Sequence, residues 1–264
     1  MSNETTQRYP FALVTLTTLF FMWGFITCLN DILIPYLKEI FELTHFQSNL
    51  VQLAFFLAYF IISLFYFVVS AAIGDPIMKI GYKNTIVLGL IISAIACFLF
   101  FLEASSEAPA FSKFLLALFL LGSGFTFLQI AANPLVAVLG TPETSSSRLN
   151  LSQAFNSLGT TLAPIIGGYF IFEYFDADTQ GATEVQIPYL FLTSILLILA
   201  GVIFMANIPN VQIEENLDFK NTAKAGALKY PHLVFGMFAI FCYVGAEVAI
   251  GSNLVGYMEG EHNF

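Results

Sequence analysis

Long uncharged stretches of apolar residues, separated by short charged connections, constrain this chain more than any other feature. Crossing a hydrocarbon core of about 30 Å takes about 20 helical residues. Seven stretches reach that scale: residues 11–37, 47–73, 83–102, 112–139, 149–172, 188–206 and 232–257. Barrel strands would be short and alternating, whereas these runs are long and continuously apolar, so helices are predicted. Composition agrees: 58% of residues are hydrophobic and 10% charged, too few charges to cover a soluble fold. The expected class is an all-α integral membrane protein with about seven transmembrane helices.

The first stretch follows Met1–Pro10, outruns the short core of a signal peptide and lacks a small-residue cleavage site. It reads as a permanent first helix. The net charge of −9 comes mostly from carboxylates in connections, where the chain meets water. That acidity reads as solvation and topology, and no nucleic-acid partner is expected. Cys28, Cys97 and Cys242 lie inside apolar stretches without a CxxC or a histidine cluster, so they read as packing residues, and no metal site is expected.

One hydrophilic connection stands out, 207–231, with Glu214, Glu215, Asp218, Lys220, Lys224 and Lys229. It divides the chain into a six-helix bundle over 1–206, a linker over 207–231 and a lone further helix in 232–264. Basic residues predict orientation. With the N-terminus cytoplasmic, the inner segments hold Arg8, Lys79, Lys83, Arg148, Lys220, Lys224 and Lys229, and the outer ones only Lys38 and Lys113. The outer connection 173–187, with Glu173, Asp176, Asp178 and Glu184 and no Lys or Arg, fits the same assignment.

Polar side chains at bilayer depth cost free energy unless they are paired or face a cavity, so each one inside a span is a functional candidate. Asn30 and Asp31 lie in the first span; a charged Asp at mid-helix costs about 3 kcal/mol on insertion scales. Asp31 either faces water or a partner, or marks the outer interface seven residues before Lys38. In the fourth span, Gln129 and Asn133 precede Pro134, which removes a backbone hydrogen bond, while Gly122 and Gly124 allow close helix approach. Gln129 serves either a substrate or an interhelical hydrogen bond. In the fifth span, Asn150, Gln153, Asn156, Ser157 and Thr160 fall on one stripe, which lines a wet cavity or bonds to neighbouring helices. Glu247 is a lone carboxylate in the last span and needs a partner or a proton.

Between the second and third spans, GDPIMKIGYK supplies Asp75, Lys79, Gly81 and Lys83 in a tight cytoplasmic turn. The strings CLNDILIPYL, HFQSNLVQLAFFLAYF, KIGYKNTIVLGL, FLQIAANPLVAVLG and RLNLSQAFNSLGTTLAPIIGG, in this order and spacing, resemble the L-fucose permease and glucose/galactose transporter family of the major facilitator superfamily. The likeness extends over 11–257. It implies twelve helices in two six-helix bundles with sugar bound between them, and cation-coupled uptake with H+ or Na+ and no other cofactor. It places the signature loop of the superfamily at 74–83.

Carried over by that resemblance, Asp31 matches a first-helix aspartate taken to bind sugar or cycle a proton, and Gln153 and Asn156 match fifth-helix amides lining the sugar cavity; Asn30 is a weaker candidate. Gln129 stands where the fucose branch has a carboxylate, and Cys28 where it has an asparagine. An amide bonds a hydroxyl but carries no proton, so coupling falls to Asp31 or Glu247, and the pattern is more like the glucose/galactose branch. On this reading the expected partners are a small sugar, membrane lipid and five further helices of the same fold. Two other readings stand beside it. One is a non-transporting fragment. The other is a seven-helix receptor or photoreceptor, against which 241–257 lacks the Lys a retinal Schiff base needs.

Overall fold

A computed structural model describes residues 9–169, 185–206, 208 and 229–262. The side chains of residues 30, 32, 35, 168 and 252–262 lie outside that description, as do Arg8, the acidic segment with Glu173, Asp176, Asp178 and Glu184, and the linker residues Glu214, Glu215, Asp218, Lys220 and Lys224. The regular structure among the described residues is helical throughout. Two compact units divide the chain, Met1–Val211 and Gln212–Phe264.

The first unit contains α1 (Pro10–Ile40), α2 (His45–Ile73), the short α3 (Pro76–Ile80), α4 (Tyr82–Ala104), α5 (Phe111–Val138), a 3-10 turn (Pro142–Thr144), α6 (Ser145–Gly168) and α7 (Gln186–Met205). The second contains α8 (Pro231–His262). Local chemistry fixes the helix starts. Pro10 opens α1, where its missing N–H costs nothing. Thr44 and Gln47 form a capping box on α2: the Gln47 N–H donates to Thr44 Oγ1 at 3.3 Å and the Thr44 N–H to Gln47 Oε1 at 2.9 Å. The Asp75 carboxylate caps α3 by accepting from the Ile77 N–H at 2.9 Å.

Hydroxyls inside the apolar helices satisfy themselves locally. Thr15, Thr17, Thr27, Ser93, Ser123, Thr126 and Thr193 each donate to the carbonyl four residues back, at 2.7 to 2.9 Å. They therefore read as neutral passengers in a spanning helix.

Within the first unit α1 packs along α6, α4 against both α5 and α7, and α2 against α5. Lipid offers no hydrophobic drive between helices, so close approach must do the work. Gly122 and Gly124 supply it on α5: a Cβ on Gly122 would press on the Phe55 carbonyl of α2, and one on Gly124 would lie 2.7 Å from the Gly89 carbonyl of α4. Phe55, Phe100, Phe114 and Phe125 fill the core between them. Large apolar side chains lie exposed on the outside, with Phe65 at 67% and Ile198 at 66%, as a lipid-facing surface requires.

Six helices among the described residues are long and apolar enough to cross a membrane: α1, α2, α4, α5, α7 and α8. The fifth of the seven expected spans is the exception. α6 has 24 residues, enough to cross, yet falls outside that group. Its polar stripe lowers its hydropathy, and it starts at Ser145 rather than 149.

Candidate functional site

The polar stripe of α6 divides into two parts once its neighbours are in place. Asn150, Gln153 and Ser157 are exposed, whereas Ser152, Gly159 and Ala163 on the opposite side are buried. Asn156 lies at the border, half-buried, and donates from Nδ2 to the Phe20 carbonyl of α1 at 3.0 Å. Beside it the two backbones nearly touch. A Cβ on Gly24 would strike the Asn156 carbonyl, and one on Gly159 would strike the Phe21 carbonyl and sit 2.8 Å from the Phe25 nitrogen. Asn156, matched above to a cavity amide, is thus also a seam residue between α1 and α6.

Gln153 reaches α5, donating from Nε2 to Asn133 Oδ1 at 3.4 Å. Asn133 in turn donates from Nδ2 to the Gln129 carbonyl at 3.1 Å. The Gln129 side chain is exposed beside them. Three amides from α5 and α6 therefore gather on one side of the unit, able both to donate and to accept.

Asp31 is not among them. It lies seven residues beyond Gly24 and eleven beyond Phe20, the two α1 residues that Asn156 meets, so about 10–16 Å along the axis from Asn156 at 1.5 Å per residue. The residue is exposed as a whole, while its carboxylate accepts a part-buried hydrogen bond from Nε2 of Gln52 on α2. Gln52 itself is buried. At the level of Asn156, the Trp23 indole N–H donates to Tyr59 Oη at 3.0 Å, tying α1 to α2. The structure therefore joins Gln129 and Gln153 in one group and sets Asp31 apart with a partner of its own. The Asn30 side chain lies outside the described residues, and Glu247 belongs to α8 in the second unit.

At the predicted loop motif, Asp75 also accepts from the Tyr66 hydroxyl. Gly81 has φ +88°, a left-handed conformation that favours glycine. Lys83 donates from Nζ to the Ala206 carbonyl at 2.8 Å, placing a cation on the C-terminal end of α7. Lys79 is exposed in the last turn of α3. Replacing Lys83 with Met is expected to cost about 1 kcal/mol, read as a lower thermal unfolding midpoint of the detergent-solubilised protein.

Arg148 counted above only as a topological charge, yet it is buried. Its guanidinium donates to the carbonyls of Val136 at 3.0 Å, Thr141 at 3.1 Å and Ala137, and to Thr144 Oγ1. It caps the C-terminus of α5 and holds the turn into α6, so it positions the helix carrying Gln153. Gln52 and Arg148 both escaped the sequence reading. Their signals were faint: an amide seven residues inside a span, and an arginine opening a polar helix.

These features define a polytopic α-helical membrane protein with a polar face retained on an otherwise apolar bundle. The chain belongs to the Major Facilitator Superfamily, whose family model matches residues 12–264. It is 49% identical over 258 residues to a glucose/galactose transporter of Brucella abortus biovar 1 (strain 9-941), covering 97% of this chain and 60% of that protein. To the L-fucose-proton symporter of Escherichia coli (strain K12) it is 34% identical, covering 94% of this chain and 59% of the relative. A crystal structure of the Major Facilitator Superfamily transporter FucP in the outward conformation matches with a TM-score of 0.76 and 33% identity, over 95% of this chain and 64% of that one. The chain thus spans about 60% of the length of the curated relatives it matches. Those relatives are named as a transporter and a symporter.

Proposed function

We propose that this chain forms the first bundle, the linker and the opening helix of a transporter that takes up a hexose by alternating access between two bundles, coupled to a proton. One observation carries the reading: Gln129, Asn133 and Gln153 present amides on one side of a bundle whose other exposed surface is largely apolar. A neutral sugar offers paired hydroxyl donors and acceptors, which amides match in both directions. The name of the Brucella relative supports glucose or galactose over fucose, and so does an amide at Gln129.

In this reading Gln129, Gln153 and the free face of Asn156 contact the sugar, with Asn30 as a further candidate, and Asp31 exchanges the coupling ion. The basic segments put the N-terminus in the cytoplasm of a bacterial cell, with the bundle in the inner membrane. Glu247 is the second candidate for ion exchange, and Asp75, Lys79, Gly81 and Lys83 form the cytoplasmic turn between α2 and α4.

The test is uptake into proteoliposomes by a chain carrying both bundles. Gln153→Ala is expected to weaken galactose or glucose binding about tenfold or more, because a hydrogen bond lost once the cavity has closed on the sugar leaves its partner unpaired. Unchanged half-saturation for both sugars would remove Gln153 from the site, and failure of every hexose in a panel to drive exchange would remove the sugar assignment.

A further inference from the structure

We propose that Gln52 is the positioning partner of Asp31, holding the carboxyl in both of its protonation states during transport. The inference rests on the coupling role given to Asp31 above, and it adds a residue that the family strings contain without singling it out and that lies outside the stripe on α6.

The geometry is asymmetric. Gln52 is 8% exposed and belongs to the inward face of α2 with Ser48, Val51 and Phe55, so its amide is held between helices. Asp31 opposite it is exposed. One carboxylate oxygen is pinned by Nε2 of Gln52 in a part-buried contact, while the residue keeps an exposed side. A carboxyl that loads and releases a proton needs such an arrangement: an open side for the proton and a fixed side that keeps its place.

A side chain with both a donor and an acceptor can meet the carboxylate as well as the new O–H of the acid, which a pure donor leaves unpaired. Toward the carboxylate, the amide donates Nε2–H. After the acid takes a proton from the outer water, its O–H becomes a donor, and a half-turn of the amide presents Oε1 to accept it. No bond other than O–H forms or breaks, and the proton leaves to the inner water when the cavity opens there. A lysine at position 52 would lock the charged state, and an apolar residue would hold neither.

The surroundings leave this task to Gln52. On α1 the neighbouring titratable group is the Cys28 thiol, one turn earlier, with Lys38 two turns later beside His45 of α2. Tyr59 of α2 is engaged by Trp23, and Glu103 of α4 is paired with Lys113 of α5 at 3.0 Å. Arg148 of α6 is spent on the carbonyls ending α5, and Tyr189 of α7 stacks on Phe100 of α4. Among the described residues Asp31 has no ion-pair partner.

The experiment uses the two-bundle protein in proteoliposomes with Gln52→Met, which keeps length and volume and removes both polar atoms. Two readouts are taken: gradient-driven accumulation against sugar exchange, and the infrared C=O band of the protonated Asp31 carboxyl, assigned by its absence in Asp31→Asn. Accumulation is expected to fall about tenfold or more, exchange to stay within about threefold, and the band to move to higher wavenumber as its partner is lost. Accumulation at the parent level with an unmoved band overturns the proposal. If Gln52→Met does not assemble, Gln52→Asn, which withdraws the amide by one methylene, carries the same two readouts and the same overturning result. Should Asp31→Asn itself accumulate sugar, the coupling role of Asp31 fails; should it fail to accumulate while Gln52→Met matches the parent, the inference about Gln52 fails alone.

Discussion

Gly159→Leu is expected to abolish the folded first unit, leaving aggregated protein on size exclusion where the parent is expected to give one symmetric peak. The atoms a side chain at 159 would meet are the Phe21 carbonyl and the Phe25 nitrogen of α1, the latter at 2.8 Å. They are backbone, locked in helix geometry, so no rotamer change relieves the overlap. α1 must back away from α6, and in doing so it breaks the Asn156 Nδ2 to Phe20 hydrogen bond. Overpacking costs typically about 1–3 kcal/mol and more against immovable atoms, the lost hydrogen bond about 1 kcal/mol, and the packing along the rest of the seam is lost with them. The first two, about 2–4 kcal/mol together, take much of a margin at the low end of about 5–15 kcal/mol, and the lost packing along the seam takes the rest. Gly201→Ala on α7 is the matched control: nothing lies within 4 Å of the added Cβ, so its unfolding midpoint should stay level or rise with the better helix propensity. A Gly159→Leu protein that elutes and melts like the parent would show that the α1 and α6 backbones do not meet here.

The same seam shows how much the sequence discloses. Apolar runs of about 20 residues read directly as helices because the bilayer admits little else, and Pro10, Thr44 and Asp75 mark helix starts by local chemistry. The stripe on α6 was legible too, since steps of three and four put its residues on one side. Which side faces what was not. Sequence spacing fixes angle within a helix but says nothing about the register between helices, and so Asn156 and Gln153, three residues apart, read alike although one bonds to α1 and the other to α5. Depth was hidden for the same reason: Asp31 and Asn156 belong to parallel neighbours with different starting points, Pro10 for α1 and Ser145 for α6. Gln52 stayed hidden because a single amide near Gln47, Ser48 and Asn49 looks like part of a helix end, and only its pairing with Asp31 gives it meaning.

Asp31→Asn, in a chain carrying both bundles, is expected to reduce accumulation to equilibration while leaving exchange of labelled for unlabelled sugar measurable. Asparagine matches aspartate in shape but takes up no proton near neutral pH, and its amide can still pair with Gln52 after the latter turns. Gln153 lies on α6 one turn before Asn156, whose contacts on α1 are about 10–16 Å from Asp31 along the axis, so the contacts of Gln153 and its neighbours on α5 are not altered directly. A proton gradient of one pH unit supplies about 1.4 kcal/mol and a potential of 100 mV about 2.3 kcal/mol per charge. Together they support an inside-to-outside ratio on the order of several hundred at about 1.4 kcal/mol per tenfold. Without a titrating group that free energy has no route into the cycle, and the ratio falls to about 1, the value of passive equilibration. Exchange needs only the loaded carrier to move back and forth, which does not require the proton to come off. Comparison with Glu247→Gln separates the two candidate carboxyls: the variant that still concentrates sugar against its gradient identifies the group that does not carry the proton, and accumulation at the parent level by Asp31→Asn would transfer the role away from α1.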